Sequence, residues 1–474
     1  MVIRPPSEDT PDSNIPAGYT YLAQFIDHDI SSDSRGDRLN RLHQPTGEIL
    51  VEDIFNERSP FLDLETIYGS EKPLNEGEIA RKFLMKEGSL SRLNLGNTFG
   101  EGLGESKLKK SYPNDLPRES GNLRAKIVDK RNDSHLLIAQ TQVAFIKFHN
   151  AIVKYHGNIN SKELFEMARE ITIRHYQYIV LTDFLPRIVK NLVLETVLKE
   201  VSENANKLYQ ATRDNMYMPL EFSVAAYRTG HSLIRNSYNF NRKFEKDRVR
   251  LDELLKLTGR GGGLSDRGGL PSIWTINWNL FFDIKNSKEQ TDFNVTKRID
   301  TKLSSFLDFL LTTPLFTINS LAALDLMRGR ALGLPTGEEV AKIVAQKTGA
   351  KTLDSELIQN KMPEKLREVF KEKTPLWFYL LAEAEIEAEP DSNTEAGKLG
   401  EVGSWIVAET FVKLIKESTP SILDEEESSK FFLPEQLNSG QNPIPKDKRK
   451  FTMPKMLEFI ALQNTDFDEI NPIG

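Results

Sequence analysis

The chain has 474 residues, 39% of them hydrophobic, which is enough to bury a large core, and its formal net charge is only −7. It contains no cysteine, which excludes disulfides, thiolate zinc sites, thioether attachment of a prosthetic group and thiol nucleophiles. The small charge, with no basic stripe interleaved with aromatics, implies neither a nucleic-acid partner nor an acidic membrane surface.

The first residues, MVIRPPSEDTPDSNIPAG, are polar and proline-rich, so residues 1–20 read as an extended arm without a signal peptide, followed by one domain over 21–474. No later segment approaches about eighteen uninterrupted apolar residues, so no membrane span is expected. The cytoplasm is the default location, with export lacking a cleavable signal as the alternative. Next comes Gln24-Phe25-Ile26-Asp27-His28-Asp29, an imidazole beside two carboxylates. If helical, it sets Gln24, Asp27 and His28 on one face and turns Asp29 about 100° away. Taken alone, it reads more readily as a solvated surface pair. The run Ser59-Pro60-Phe61-Leu62-Asp63-Leu64-Glu65 reads by itself as a turn leading into a helix, and residues 86–125 as a second extended arm.

From Asp133 onward helical periodicity dominates, with Leu136, Ala139, Val143, Ile146 and Asn150 lining one side of a long helix. Further helices are expected near 161–183, 186–209, 246–257, 301–312, 315–328, 337–347, 400–416 and 453–463, with Thr336 and Glu339 forming a capping box. Strand-like alternation is scarce, so the fold class is mainly α. The run Glu221–Ile234 also reads as helical, and small residues around its His231 let a flat ring approach the backbone. A core histidine bonded to a backbone carbonyl is the alternative there. The glycines of Gly259-Arg260-Gly261-Gly262-Gly263 and Gly268-Gly269 lack the following Lys-Ser/Thr and the preceding strand of a phosphate cradle, and read as a loop. Lys446-Asp447-Lys448-Arg449-Lys450 reads as a solvated face within a third arm, 417–450.

Gln24-x-x-Asp27-His28-Asp29, Arg131-Asn132-Asp133, His149-Asn150, Tyr227-Arg228-Thr229-Gly230-His231 and Arg328-Gly329-Arg330 occur in this order. The set resembles the animal-type haem peroxidases of the peroxidase-cyclooxygenase superfamily, and its bacterial members most closely. It spans about residues 15–340, with a weaker echo at Phe411-Val412-Lys413-Leu414. The resemblance implies a single large helical haem-peroxidase domain with long loops and haem b as cofactor. It implies a reaction in which hydrogen peroxide is reduced through a ferryl intermediate while small organic donors or (pseudo)halides are oxidised. His28 then matches the distal histidine, Arg131 the distal arginine and His231 the proximal iron ligand. Gln24 matches a residue beside bound halide, Arg228 an arginine flanking the haem, and Arg328 one that meets a propionate.

Asp325 stands where the family usually has an asparagine bonded to the proximal ring. A carboxylate there gives the imidazole more imidazolate character and lowers the iron potential, so weak halide oxidation is expected. Asp27 matches a residue esterified to a haem methyl in mammalian relatives. Ser134 and His135 replace the residues that make the other covalent links there, so at most one ester, through Asp27, is implied. The same resemblance implies a calcium site of Asp29, Ser59, the Phe61 carbonyl, Asp63 and Glu65, with Glu65 in place of the relatives' serine. Two alternatives stay open: a fatty-acid dioxygenase of the cyclooxygenase branch, and a haem-bearing interaction module without turnover. The first needs a tyrosine three residues before the proximal histidine, where this chain has Arg228. The second predicts damage to a distal set that is intact here.

Overall fold

The computed structural model describes residues 12–32, 56–69, 84–100, 111–157, 160–244, 248–259, 263–264, 268–284, 293–308, 320–371, 373–388, 397–424, 451–464 and 469–472. From Asp12 the expected N-terminal arm is structured. Strand β1 (Asp12–Pro16) pairs antiparallel with β4 (Val295–Lys297), and helix α1 (Gly18–Ile30) follows at once. Glycine is required at the start of α1, because a Cβ on Gly18 would lie 2.4 Å from the Phe282 ring, while its N–H donates to the Phe281 carbonyl at 2.9 Å. Two other short strands, β2 (Ser237–Tyr238) and β3 (Val249–Arg250), pair antiparallel.

The remaining principal elements are helices. They are α2 (Leu136–Tyr155), α3 (Lys162–Tyr178), α4 (Asn191–Ser202), α5 (Leu321–Ala331), α6 (Gly337–Thr348), α7 (Leu376–Glu387), α8 (Glu401–Glu417) and α9 (Met453–Gln463). Helix α2 is long and apolar enough to cross a membrane, but 89% of its apolar window is buried inside the fold, where α1, α3 and α9 pack on it. The centre of this group is aromatic. Phe25 of α1 stacks on Phe145 of α2 at 4.7 Å, and Tyr176 of α3 meets both rings edge-on. Such contacts add about 0.5–1.5 kcal/mol per pair beyond area burial. They fix the rotation of α1 and therefore the direction of the side chains on its other faces.

Helices α2, α6, α8 and α9 lie within a few residues of their expected bounds, and the Thr336–Glu339 capping box is present. Other expectations need correction. The helix over 161–183 ends as α at Tyr178, widens into a π-helical segment over Ile179–Phe184, and resumes for Leu185–Ile188. The span 186–209 contains a break, because Lys190 is extended and donates its N–H to the Ser404 hydroxyl, so that α4 begins only at Asn191. Within 246–257 the described residues are helical over Leu251–Lys256, after β3. Within 301–312 the described residues form a 3-10 turn, Ser305–Asp308, and the helix over 315–328 is α5, starting at Leu321. Residues 309–319, 260–262 and 425–450, including the basic cluster, lie outside the described residues.

Candidate active site

Helix α1 is the hub on which one half of the site is built. The turn Glu65–Tyr68, the 3-10 turn Lys130–Asp133, α2 and the segment Tyr227–Leu233 all pack against it. His28, near its C-terminal end, is buried, and its Nδ1 lies 2.7 Å from Asn132 Oδ1. The Asn132 amide nitrogen donates to Thr66 Oγ1 at 2.8 Å and to Gln142 Oε1 at 2.5 Å. Its oxygen is therefore an acceptor toward His28, so the imidazole proton sits on Nδ1 and Nε2 carries the lone pair. Burial, then the nearby Arg131 charge, lower the His28 pKa and keep the ring neutral.

Arg131 lies beside this ring. Its Nη2 donates to the His28 carbonyl at 2.8 Å, and Nε and Nη2 grip the Asp129 carboxylate at 2.6–3.1 Å. Burial would raise the Asp129 carboxyl, yet Arg131 and Arg58 bring it down to about 2. Arg131 thus stays charged, with its Nε–Nη2 edge fixed and Nη1 without a hydrogen bond among the described residues. Gln24, one turn before His28, accepts at Oε1 from His135 Nε2 at 2.8 Å. Asp27 is half-buried, and its Oδ1 accepts from the Ser31 hydroxyl at 2.8 Å. The structure therefore brings Gln24, His28 and Arg131 together. It adds Asp129, Asn132 and His135, to which the sequence reading gave no positioning role, although Asp129 could have been seen as the cap of its turn.

The second half lies on Glu221–Leu233, which is not the regular α-helix expected. Glu221–Ala226 is π-helical and Tyr227–Leu233 is 3-10, a departure that recurs at functional sites. In a 3-10 helix side chains three apart eclipse each other, so Arg228 and His231 project along one edge and both reach the same carboxylate. His231 Nδ1 donates to Asp325 Oδ2 at 2.7 Å, while Arg228 Nη1 and Arg328 Nη1 stand 4.0 and 3.5 Å from Asp325 Oδ1. Asp325 is fully buried on α5. Burial would raise its carboxyl, but His231, Arg228 and Arg328 together hold it below the usual range.

Arg228 and Arg328 also line a cavity of about 400 Å³ with Ser31, Asn56, Arg58 and Val224, a volume within the range of cofactor sites. Its walls come from both halves, since Ser31 follows α1 and Arg228 precedes His231, but neither imidazole is among its lining residues. The Tyr227 hydroxyl ties the halves together by donating to the Ala23 carbonyl at 3.0 Å. The donor set fits a haem on the His231 side. Nδ1–H is committed to a carboxylate, Nε2 has no partner among the described residues, a Cβ on Gly230 would meet nothing within 4 Å, and Asp325 Oδ1 and Arg228 Nε are buried without hydrogen-bond partners.

The loop expected to hold calcium is partly assembled. Asp29 is fully buried and accepts the N–H groups of Leu64 at 3.2 Å and Thr66 at 3.1 Å. Asp63 accepts from the Ser59 hydroxyl at 3.0 Å, and Glu65 accepts from the Ser59 N–H at 2.5 Å while facing Arg58 at 3.6 Å. Burial raises the carboxyls of Asp29 and Asp63, and repulsion adds to it, from Asp63 on Asp29 and from Glu65 on Asp63. Phe61 lies in the same loop, and its N–H donates to the Ser59 hydroxyl. Among the described residues, however, no group of three or more His, Asp or Glu side chains is placed to hold a metal ion.

Comparison with known proteins follows the same line. Residues 34–442 match the profile of the animal haem peroxidase family, a span that begins after α1 and so leaves Gln24 to Asp29 outside it. The chain is 26% identical over 393 residues to chorion peroxidase of Drosophila melanogaster, covering 79% of this chain and 43% of that protein. It is 23% identical over 445 residues to heme peroxidase 2 of Caenorhabditis elegans, covering 90% and 56%. It thus spans about half the length of these two relatives. Among solved structures, peroxidase A of Dictyostelium discoideum superposes with a TM-score of 0.56 at 16% identity, over 89% of this chain and 82% of that one. The fatty acid alpha-dioxygenase of Oryza sativa gives 0.57 at 15%, over 98% and 77%. At such identities the two structures establish the helical fold alone. The profile match, covering most of the chain, establishes that this protein belongs to the animal haem peroxidase family.

Proposed function

We infer that the chain is a haem-dependent peroxidase that reduces hydrogen peroxide and oxidises small organic donors or (pseudo)halides. The observation that carries this reading is the His28 tautomer, with Nδ1–H held by Asn132 and a basic Nε2 beside a charged arginine. Haem, bound through His231 Nε2 with Arg228 flanking it and Arg328 meeting a propionate, would supply an iron centre that peroxide oxidises. His28 Nε2 takes the proton from one peroxide oxygen and returns it to the other, so that water leaves. Arg131 offers Nη1 to the negative charge that develops on the departing oxygen.

Stopped-flow mixing of the haem-loaded chain with peroxide tests the reading. A rapid change of the Soret band is expected, slowed about a hundred- to ten-thousand-fold in His28→Leu. A parent that does not respond, or a variant as fast as the parent, rejects it.

The finer features belong to the same proposal. One ester through Asp27 is checked by acid-acetone extraction and mass spectrometry of the haem, and an extract containing only free haem b rejects it. Calcium bound by Asp29, Ser59, the Phe61 carbonyl, Asp63 and Glu65 would sit next to His28 in sequence. Chelation should therefore slow the peroxide reaction and shift the Soret band, whereas an unchanged spectrum and rate would remove calcium from the account. Kinship with bacterial members and a cytoplasmic location are carried forward as parts of this reading. Dioxygenase activity is disfavoured, because the Tyr227 hydroxyl is held by the Ala23 carbonyl and the ring is packed against Phe222 and Phe411.

A further inference from the structure

His135 is the N-cap of α2, where its Nδ1 accepts the Ile138 N–H at 3.3 Å. That bond places the ring proton on Nε2, which donates to Gln24 Oε1 at 2.8 Å. The ring cannot readily change state. It is buried, Tyr21 meets it edge-on at 5.8 Å, and burial and then the neighbouring His28 lower its pKa to about 3. A Gln side chain can ordinarily present either its oxygen or its NH₂. Here the oxygen is occupied, and the NH₂ has no acceptor among the described residues. Gln24 and His28 are one turn apart on α1, so their side chains are neighbours.

We propose that His135 is a positioning residue that locks the Gln24 amide with its NH₂ toward the distal space beside His28, and so sets the preference of that space for small anions. The inference rests on the peroxidase reading, and within it on Gln24 facing a bound anion. A capped helix start and an oriented amide are thereby joined through one ring. Holding the amide in advance removes the cost of ordering it when an anion binds, which for one flexible side chain corresponds to about a threefold to tenfold gain in affinity.

The test is equilibrium binding of bromide and azide to the haem-loaded ferric protein, read from the Soret shift, with carbon monoxide on the reduced protein as the uncharged comparison. His135→Asn and His135→Ser retain a side chain suited to capping α2 but are too short to reach Gln24. Both should weaken the anions about threefold to tenfold and leave carbon monoxide unchanged. Gln24→Leu should weaken the anions at least as much, and adding His135→Asn to it should cost nothing further, because the ring acts only through the amide.

If Gln24→Leu weakens the anions and both His135 variants do not, the positioning role is overturned while the anion reading survives. Equal loss of carbon monoxide, or a His135 effect that persists in the Gln24→Leu background, also overturns it. If Gln24→Leu itself leaves anion binding unchanged, the anion reading fails first and the inference falls with it.

Discussion

Asp325 shows how much chemistry one side chain carries here. Its Oδ2 accepts the His231 Nδ1–H at 2.7 Å, and two arginines flank its Oδ1 at 3.5 and 4.0 Å. A carboxylate in this position strengthens the ring as a ligand, and neutralising it weakens the ligand and removes a charge that both arginines face. Asp325→Asn is therefore expected to raise the ferric/ferrous potential and to lower haem affinity about tenfold to a hundredfold. Spectroelectrochemistry and haem-transfer titration would check both, and an unchanged or lowered potential would contradict the argument. This contact was legible in the sequence because the family resemblance sets Asp325 where an asparagine bonded to the proximal ring usually stands. The His135–Gln24 bond was not, since 111 residues separate its partners and nothing local to either names the other.

At the scale of elements, α1 is held less by its own propensity than by the rings beneath it. Phe25 is fully buried against Phe145 and Tyr176. Its truncation to alanine should cost about 3–5 kcal/mol in chemical unfolding, and it should also slow the peroxide reaction by loosening the helix that carries His28. Loss of less than about 1 kcal/mol would mean that the cluster is not what orients α1. The same packing explains which elements periodicity could reveal. Helix α6 buries Val340, Ala341 and Val344 on one side and exposes the other, and was readable within a few residues. Helix α7 escaped because Leu376 to Ala384 are buried on every side, so no stripe exists to be found. The wide-then-tight turns at Glu221–Leu233 escaped as well, because their hydrogen bonding is set by contacts with α1, α5 and α7 rather than by local composition.

For the whole molecule, buried imidazoles make stability depend on acidity. Burial lowers the pKa of His135 to about 3 and those of His149 and His175 to about 4, against an ordinary 6.5. The unfolded chain takes up these protons near pH 6.5 and the fold does not, so each ring lowers stability as pH falls from there to its own folded value. Buried carboxyls with raised values, such as Asp300 at about 6 and Glu383 at about 8, act in the opposite sense. A difference between variants isolates one ring. Relative to His149→Gln, the parent should lose about 3 kcal/mol between pH 7 and pH 4, with a limiting slope of about 1.4 kcal/mol per pH unit below about pH 6.5. Parallel stability curves would show that His149 is protonated in the fold.

A last consequence concerns how a flat cofactor gains entry to a finished helical framework. The stretch bearing His231 lacks the continuous i to i−4 bonding of α2 or α8 and leans on its neighbours for support. A segment bonded in this way is expected to open at lower cost than the apolar bundle, which faster hydrogen exchange over Glu221–Leu233 than in α2 would show. Assembly of the holoprotein then becomes a local docking event, compatible with macrocycle capture after the chain has already folded.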